Sequence, residues 1–411
     1  MGIRQGETGT QTHPDARGIR PALSGLIALT LAAFLAVTTE VLPVGLLPAI
    51  GRAFDVSESI AGLLVSVYAI AVAVLAVPLT ILTRRFPRKA MLLSTLVVFV
   101  LSNAIVTVAP NFALVAVGRG LGGVSHALFF SLCIGYSARL VDREFIGRAN
   151  ALVAAGVSAG LILGVPLLTS LGNALGWRVA FGTLTVLSAL TTVAIAIVLP
   201  GVSNENPTPT SGNREGRRRL VAAVSANGLT YLGQFVVYTY VAVILLGSGA
   251  TEAAVGPLLI GIGACGLFGL WFGAATFDRW RRWSGIIVIG VSILGIIGIG
   301  LGYPSFVAVL IGAAVWNAAF GAAPSFFQTA AVRTHATSPD IAGAWVNATS
   351  NVGIAGGAAI GAAALEFSGL GALPWVGAAL MVAGLTVILV ARKAFPGTRA
   401  PSVSAEPPKH N

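Results

Sequence analysis

Three ionisable side chains, Glu40, Arg119 and His126, lie well inside stretches that are otherwise apolar. A charged group is costly in such surroundings, so residues of this kind usually pair with one another or carry a function. A carboxylate and an imidazole can each gain and lose a proton, whereas an arginine does not deprotonate in practice. These residue types therefore indicate a site that handles protons.

The spacing of these three residues suggests that they lie close together. Glu40 is seven residues before the end of its apolar stretch, and Arg119 is seven residues after the start of another. At the rise of a helix, each lies ~10 Å below the same membrane surface, so an ion pair between them is possible. His126 lies seven residues deeper than Arg119 and on roughly the same helix face.

Two roles for the Glu40 and Arg119 pair remain open on this evidence. If Arg119 approaches and leaves Glu40 as the protein rearranges, the acid alternately releases and accepts a proton. The alternative is a permanent ion pair that holds two helices together. We expect the proton role, with His126 as the second candidate for the proton site.

A second group of polar and aromatic residues follows helical spacing in the later part of the chain. The positions i, i+4, i+7 and i+11 of one apolar stretch form a single stripe on a helix. Singly, such residues often bond neighbouring helices, but a whole stripe can face a wet cavity. The predicted substrate-cavity residues are Asn227, Tyr231, Gln234, Tyr238, Asn317, Phe320, Gln328, Asn347 and Asn351.

The elements that must position these residues are membrane-spanning helices. The chain has 411 residues, of which 56% are hydrophobic and 9% are charged, far fewer charges than the roughly 25% of a soluble domain. Successive apolar stretches are each long enough to cross a bilayer core of ~30 Å. The sequence predicts an all-α polytopic membrane protein with spans at about 22–47, 60–82, 90–109, 112–138, 148–171, 179–199, 220–246, 254–275, 284–302, 304–332, 341–365 and 372–391.

The net charge of +11 follows the predicted topology and does not indicate binding to nucleic acid. With the N-terminus inside, the inner loops and tails hold 22 of the 25 Lys and Arg residues, and the outer loops hold Arg52 and Arg178. This positive-inside bias predicts that both termini are cytoplasmic. The excess of Arg over Lys is typical of a GC-rich bacterial genome, so we expect a multi-pass protein of the bacterial cytoplasmic membrane, with the lipid bilayer as its surroundings.

An internal repeat divides the chain into two halves of six spans each. "APNF" at 109–112 matches "YPSF" at 303–306, an offset of 194, and "GRANALVAAGVSAGLILG" at 147–164 matches "GAWVNATSNVGIAGGAAIG" at 343–361. Two parallel halves with a substrate site between them near the midplane are a known transporter plan. The predicted parts are a cytoplasmic tail at 1–20, helical bundles at 21–199 and 220–394, a cytoplasmic linker with little structure at 200–219, and a tail at 395–411.

Two other sets of residues are expected to take part in conformational gating. Glycines spaced by four residues give the fifth and eleventh spans one smooth face each, which permits either tight packing or a sliding contact between the halves, and we favour the sliding contact. Pro166 should loosen the fifth span. Basic turns follow the second and eighth spans. The gating residues are Arg84, Arg85, Arg88, Lys89, Asp278, Arg279, Gly156, Gly160, Gly164, Pro166, Gly353, Gly357 and Gly361.

Several motifs together resemble those of the major facilitator superfamily, and specifically its twelve-helix drug:proton antiporter and sugar-efflux branch. "TTEVLPVGLLPAI" resembles the first-helix signature, "TILTRRFPRK" the basic loop motif, "RGLGG" the fourth-helix motif, and "GLILGVPLLTSLG" followed by "GWRVAF" the antiporter motif. This variant is similar to the arabinose-efflux-like and chloramphenicol-resistance-like members. The resemblance implies proton-driven export of a small molecule.

The chain departs from that family pattern in the basic loop. Thr80, Arg84 and Pro87 stand where Gly, Asp and Gly are usual, and the Asp is kept in the second half as Asp278.

The sequence offers no credible set of residues for an enzyme. No nucleophile lies beside a base, and no residues are spaced as metal ligands. Cys133 and Cys265 both fall within spans and are expected to be small buried hydrophobes. We therefore expect a transporter that works as a monomer without a cofactor, with a proton-coupled importer and a non-transporting sensor as the alternatives.

Overall fold

The computed structural model describes residues 19–142, 145–202, 214–276, 281–337 and 339–395. It confirms the predicted all-α architecture, with twelve helices that are long and apolar enough to cross a membrane. They are α1 (Ile19–Phe54), α2 (Glu58–Leu82), α3 (Arg88–Val108), α4 (Phe112–Arg139), α5 (Ile146–Ala159, continued by Gly160–Gly164 and Val165–Leu175), α6 (Trp177–Val198), α7 (Arg214–Tyr238 and Val241–Gly247), α8 (Glu252–Thr276), α9 (Arg281–Gly302), α10 (Phe306–Phe320 and Ala323–Val332), α11 (Pro339–Ser368) and α12 (Leu373–Val390).

Short polar turns precede α2 and α4 and cap the first turn of each helix. The Ser57 hydroxyl accepts a hydrogen bond from the Ile60 amide at the start of α2, and Asn111 caps the Leu114 amide at the start of α4. Each cap satisfies an amide that has no partner within its helix. We call the end of the bundle that carries these two turns the far end, and the opposite end, where α1 begins and α12 ends, the termini end.

One predicted boundary is wrong. The segment 200–219 was expected to have little structure, but α7 already begins at Arg214. Arg219 forms an ion pair of 2.6 Å with Glu215 one turn earlier, and Lys393 lies 3.8 Å from the same carboxylate. Pairs spaced by four residues support a helix at its exposed end, so the basic end of the linker extends the seventh span. Residues 203–213 lie outside the described residues, as do the two tails before 19 and after 395.

Pro166 loosens α5, as the sequence predicts. Because a proline has no N–H, the carbonyl of Ile162 loses its usual helical donor. The helix responds with a π turn over Gly160–Gly164, in which the Val165 amide donates to the Gly160 carbonyl. A π turn widens the helix locally, and such turns are frequent at functional sites.

The two glycine faces pack within each half, so the expected sliding contact between halves is wrong for these residues. A side chain at Gly156 or Gly160 would collide with the backbone carbonyl of Thr30 or Phe34 on α1, and one at Gly164 with Thr38. Glycine lets two backbones approach closely in a membrane, where van der Waals packing drives helix association. The faces therefore join α5 to α1 and, in the second half, α11 to α7. There the corresponding residues Gly353, Gly357 and Gly361 lie against Gly228, Leu232 and Val236.

Other residues form the contacts between the halves, and these lie toward the far end. The Ser66 hydroxyl on α2 donates to the Ala355 carbonyl on α11 over 2.8 Å. A Cβ at Gly62 on α2 would meet the Tyr240 hydroxyl, and a Cβ at Gly256 on α8 would meet Ser170 on α5. The first half also adds a group of buried apolar residues to the core of the second half. They are Val41, Val44, Leu47, Ala61, Val65, Ala69 and Val165.

We predict that Gly357→Ala destabilises the protein by about 1–3 kcal/mol, the usual cost of overpacking. The new methyl group would stand 2.4 Å from the Leu232 carbonyl oxygen, which belongs to a helix backbone and cannot move aside cheaply. The measurement is the melting temperature of purified protein in detergent.

Gly261→Ala is the matched control for this variant. Gly261 is also helical, but a Cβ there would have no atom within 4 Å. Its substitution should leave the melting temperature unchanged or raise it slightly, because Ala has the better helix propensity. Equal melting temperatures for the two variants would contradict the packing described for Gly357.

Candidate functional site

Arg119 is held by the backbone of α1. Its Nη1 donates to the Thr39 carbonyl at 2.5 Å and its Nη2 donates to the Glu40 carbonyl at 2.6 Å. Pro43 lies inside α1 and has no N–H, so the Thr39 carbonyl, four residues earlier, lacks its helical donor. The guanidinium supplies that missing donor, because its planar fork can reach two neighbouring carbonyls at once.

The expected side-chain ion pair between Glu40 and Arg119 is not among the salt bridges of the described residues. The titratable group that the structure places nearest the Glu40 carboxylate is the imidazole of His126, with 3.7 Å between Oε2 and Nδ1. Glu40 thus contributes its carbonyl to Arg119 and its side chain to His126. The sequence places Glu40 and Arg119 at one depth in the membrane and His126 seven residues deeper, but it does not show that the carbonyl freed by Pro43 would compete for the guanidinium.

Tyr68 on α2 joins Arg119 to His126. Its ring lies 4.3 Å from Arg119 Cζ, a cation–π arrangement, and its hydroxyl is 3.1 Å from His126 Nδ1. Gly122 and Gly123 on α4 make room for this side chain and its backbone, since a Cβ at Gly123 would stand 2.3 Å from the Tyr68 carbonyl oxygen. We call Glu40, Tyr68, Arg119 and His126 the proton-site cluster, after the proton role expected from the sequence.

The proton-site cluster is enclosed on most sides and faces the second half of the protein. Arg119 and Tyr68 are each 1% exposed, and the His126 ring packs 4.7 Å from that of Phe130. The Glu40 side chain keeps 13% exposure. It lies within electrostatic range of the Tyr231 and Tyr238 phenols across the boundary between the halves. Among the four cluster residues, the acid thus lies at that boundary.

The stripe on α7 forms an aromatic cluster with α10. Tyr231 stacks on Phe235 and meets Phe320 edge to face, with centroids 6.2 and 5.5 Å apart, and Tyr238 contacts Trp316 at 6.1 Å. Trp316 donates to the Gln234 amide oxygen over 2.5 Å, which fixes both buried side chains. The aromatic cluster consists of Tyr231, Phe235, Tyr238, Trp316 and Phe320.

Asn227 has a structural role and does not line a cavity, which corrects its predicted assignment. It is 0% exposed. Its amide donates to the Val346 carbonyl and to the hydroxyls of Thr349 and Ser350, at 2.9 to 3.0 Å. All three partners are on α11, so Asn227 binds α7 to α11 within the second half, as polar residues often do between membrane helices.

The other predicted cavity residues lie on α10 and α11. Their hydrogen bonds in the described part of the chain do not involve the aromatic cluster. Asn317 donates to the Ala313 carbonyl of its own helix at 3.3 Å. The buried Asn351 donates to the carbonyl of Asn347 at 2.9 Å, and Gln328 is exposed toward the termini end, next to Gly343.

The basic turn after α2 is placed at the termini end. Arg84 and Arg85 belong to a short 3-10 turn over Thr83–Arg85, and α3 begins at Arg88. Lys89 donates to the Ala196 carbonyl near the end of α6 over 2.8 Å, so it caps a neighbouring helix in the same half. The predicted partners Asp278 and Arg279 lie outside the described residues.

Three site residues, Tyr68, Phe235 and Trp316, are not assigned from the sequence because a single aromatic residue in an apolar span has the pattern of ordinary packing. A signal for Tyr68 was present on the opposite helix. The adjacent Gly122 and Gly123 leave a gap in the face of α4 between Arg119 and His126, and a large side chain from a neighbouring helix has to fill such a gap.

Two repeated six-helix halves, with a buried polar site of the first facing an aromatic cluster of the second, define a secondary transporter. The sequence profile of the Major Facilitator Superfamily matches residues 29–343. This chain belongs to that superfamily, and it is a transporter and not an enzyme.

Its relatives include named efflux proteins. The chain is 33% identical over 377 residues to a chloramphenicol efflux pump of Mycobacterium tuberculosis, covering 88% of this chain and 90% of the relative. It is 28% identical over 364 residues to a probable sugar efflux transporter of Mannheimia succiniciproducens, covering 86% and 90%. The crystal structure of a D-xylose-proton symporter shares the fold, with a TM-score of 0.74 at 17% identity over 92% of this chain and 98% of that one.

We predict that Arg119→Gln destabilises the protein and that adding Pro43→Ala recovers part of the loss. Losing the guanidinium leaves the buried Thr39 carbonyl unsatisfied, at a cost of about 1–3 kcal/mol. Alanine at 43 restores an N–H four residues after Thr39. Folded yield and melting temperature in detergent measure both effects.

Pro48→Ala is the control for this rescue. Pro48 lies in the same helix, but the carbonyl four residues before it belongs to Val44, and the carbonyls that Arg119 binds are those of Thr39 and Glu40. It should not recover the stability of Arg119→Gln. If Pro43→Ala and Pro48→Ala behave alike, Arg119 does not act through the Thr39 carbonyl.

Proposed function

We propose that this protein exports a small molecule across the bacterial cytoplasmic membrane in exchange for protons, by alternating access. The observation that carries the proposal is the position of Glu40. It is a membrane-embedded acid with residual exposure, next to the titratable ring of His126 and within electrostatic range of two phenols of the aromatic cluster. A carrier of this kind needs one site that either a proton or the substrate can occupy.

The geometry supports a coupling mechanism in which Arg119 stays fixed. Its two hydrogen bonds to α1 hold the positive charge beside the Glu40 backbone. The Glu40 side chain is not part of that anchor and contacts His126 instead. Rearrangement of the halves then changes the surroundings of the carboxylate while its cationic neighbour remains in place. Loss of water around the carboxylate favours its protonated form, and access to water favours release.

The proposed topology identifies the face of the membrane that this conformation closes. The positive-inside bias supports cytoplasmic termini, which makes the far end the periplasmic face. Contacts between the halves at that end, such as Ser66 with Ala355 and Arg52 with Glu252 at 2.9 Å, close the far side. The state described here thus fits loading of substrate from the cytoplasm. The named efflux relatives support export rather than uptake.

The substrate that fits this site is small, largely apolar, and neutral or weakly cationic. The aromatic cluster offers ring faces for stacking, and the Tyr231 and Tyr238 hydroxyls offer hydrogen bonds. The acid opposite them favours a proton or a weak cation over an anion. The relative named as a chloramphenicol efflux pump makes an aromatic amphenicol the first compound to test. Sugars remain the second class, by the name of the other relative.

We predict that Glu40→Gln binds substrate but loses export driven by a proton gradient, because an amide has the shape of the acid but does not gain or lose a proton. His126→Gln should fold and retain gradient-driven export at reduced efficiency. The measurement is substrate flux into inverted membrane vesicles with an imposed gradient, with a C-terminal reporter to fix the orientation of the protein.

Normal gradient-driven export by well-folded Glu40→Gln would rule out this acid as the coupling site. Loss in His126→Gln alone would move the site to His126. Flux in the opposite direction would identify an importer, and an external C-terminal reporter would overturn the topology.

We predict that cells lacking their own efflux pumps become more resistant to chloramphenicol when they express this protein. Tyr238→Ala should weaken that resistance, because it removes a ring of the aromatic cluster and a hydroxyl within electrostatic range of Glu40. Asn227→Ser is the comparison for folding defects in α7, since the Asn227 amide binds α7 to α11 within the second half. Export of a polyanionic compound in the same host would contradict the proposed substrate class.

A further inference from the structure

Tyr68 has the contacts of a residue that controls the proton-site cluster. Its hydroxyl is 3.1 Å from His126 Nδ1, the same nitrogen that lies 3.7 Å from Glu40 Oε2. Its ring supports Arg119 at 4.3 Å. One buried side chain therefore touches both cationic or potentially cationic partners of the acid.

A hydroxyl suits this position because it can either donate or accept a hydrogen bond. When Nδ1 carries no proton, the Tyr68 hydroxyl can donate to it. When Nδ1 carries a proton, its N–H can donate a hydrogen bond to the Tyr68 oxygen or to the Glu40 carboxylate. The imidazole thus keeps a partner on Nδ1 whether Glu40 is protonated or not, and the ring need not turn away as the acid titrates.

The helix that bears Tyr68 also forms the contact between the halves. Ser66, two residues earlier on α2, donates to the Ala355 carbonyl of α11. Gly62 on the same helix receives the Tyr240 side chain of α7. When the halves separate at the far end, α2 loses these partners. A shift of α2 at Ser66 is carried to Tyr68, because both belong to one helix.

We propose that Tyr68 is a positioning residue for proton coupling. Its hydroxyl holds His126 Nδ1 toward the Glu40 carboxylate, and its place on α2 links that arrangement to the contact between the halves. The proposal rests on the proposed function, but it concerns a residue that the sequence does not assign to the proton site. The charged and titratable groups that face Tyr68 and His126 are Glu40 from α1 and Arg119 from α4, and the Tyr231 and Tyr238 phenols of α7 face Glu40.

Tyr68→Phe tests the hydroxyl while it keeps the ring beneath Arg119. We expect the pH profile of gradient-driven export to shift by about one pH unit, the size expected when one hydrogen bond to an ionisable group is lost. The apparent KM for substrate should stay unchanged. Tyr136→Phe is the matched control, because Tyr136 is equally buried in the same half and its hydroxyl donates to the Pro200 carbonyl, away from the cluster.

A double-mutant comparison shows whether Tyr68 acts through His126. In a His126→Gln background, Tyr68→Phe should produce no further shift of the pH profile, since the partner of the hydroxyl is gone. Independent shifts that add in the double variant would overturn the proposal, as would a Tyr68→Phe profile identical to that of Tyr136→Phe.

A spectroscopic measurement separates this proposal from the proposed function. The chain has four histidines, so the ring signals of His126 in isotope-labelled protein can be assigned from His126→Gln. Tyr68→Phe should change the tautomer and titration of His126, and Tyr136→Phe should not. An unaltered His126 would overturn the positioning role. If His126 responds but the wild-type protein shows no proton-driven flux, then the proposed function is wrong and the role of Tyr68 in holding His126 stands.

Discussion

The buried guanidinium of Arg119 against the proline-interrupted backbone of α1 is the interaction on which the first half depends. Pro43 frees the Thr39 carbonyl in a place without water, where an unpaired carbonyl is costly. Arg119 supplies the donor from α4, Asn103 of α3 donates to the Thr39 hydroxyl over 3.1 Å, and Tyr68 of α2 lies against the guanidinium. Four helices therefore converge on one gap in a helical hydrogen-bond ladder, and Glu40 follows next in the chain.

This anchoring gives two tasks to two different groups. Arg119 holds α1 and α4 together, and in the proposed mechanism the Glu40 carboxylate binds the proton. An arginine that alternately pairs with and leaves Glu40 would lose its hydrogen bonds in every cycle, at a cost of several kcal/mol each time in lipid. In the proposed mechanism the guanidinium stays bound to the backbone, and the carboxylate alone changes its surroundings. The mobile part of the site is then small: one acid side chain, the imidazole beside it, and the contact of α2 with the second half.

The fold was readable from the sequence because span length, apolar content and the distribution of Lys and Arg depend on local composition. The loosening of α5 at Pro166 was readable for the same reason, since the missing N–H acts within one helix, although the π turn that results was not. The site was only partly readable. Glu40, Arg119 and His126 stand out because charge is rare in spans, whereas Tyr68 and the packing role of Asn227 depend on which helices become neighbours. The glycine faces show the same limit: their spacing reveals close packing, but the partner helix is set by the tertiary fold.

The internal repeat connects this one conformation to the transport cycle. Glu58 and Gly62 of α2 correspond to Glu252 and Gly256 of α8, each pair 194 residues apart. Both glycines lie where one half meets the other, against Tyr240 and against Ser170. Equivalent helices thus close the far end from both sides, α2 against the second half and α8 against the first.

Because each of these helices runs the full depth of the membrane, rocking about its middle would exchange contacts at the far end for contacts at the termini end. In such a motion the glycine faces that join α1 to α5 and α7 to α11 keep each half rigid. Movement is then concentrated at the boundary between the halves, where Glu40 lies.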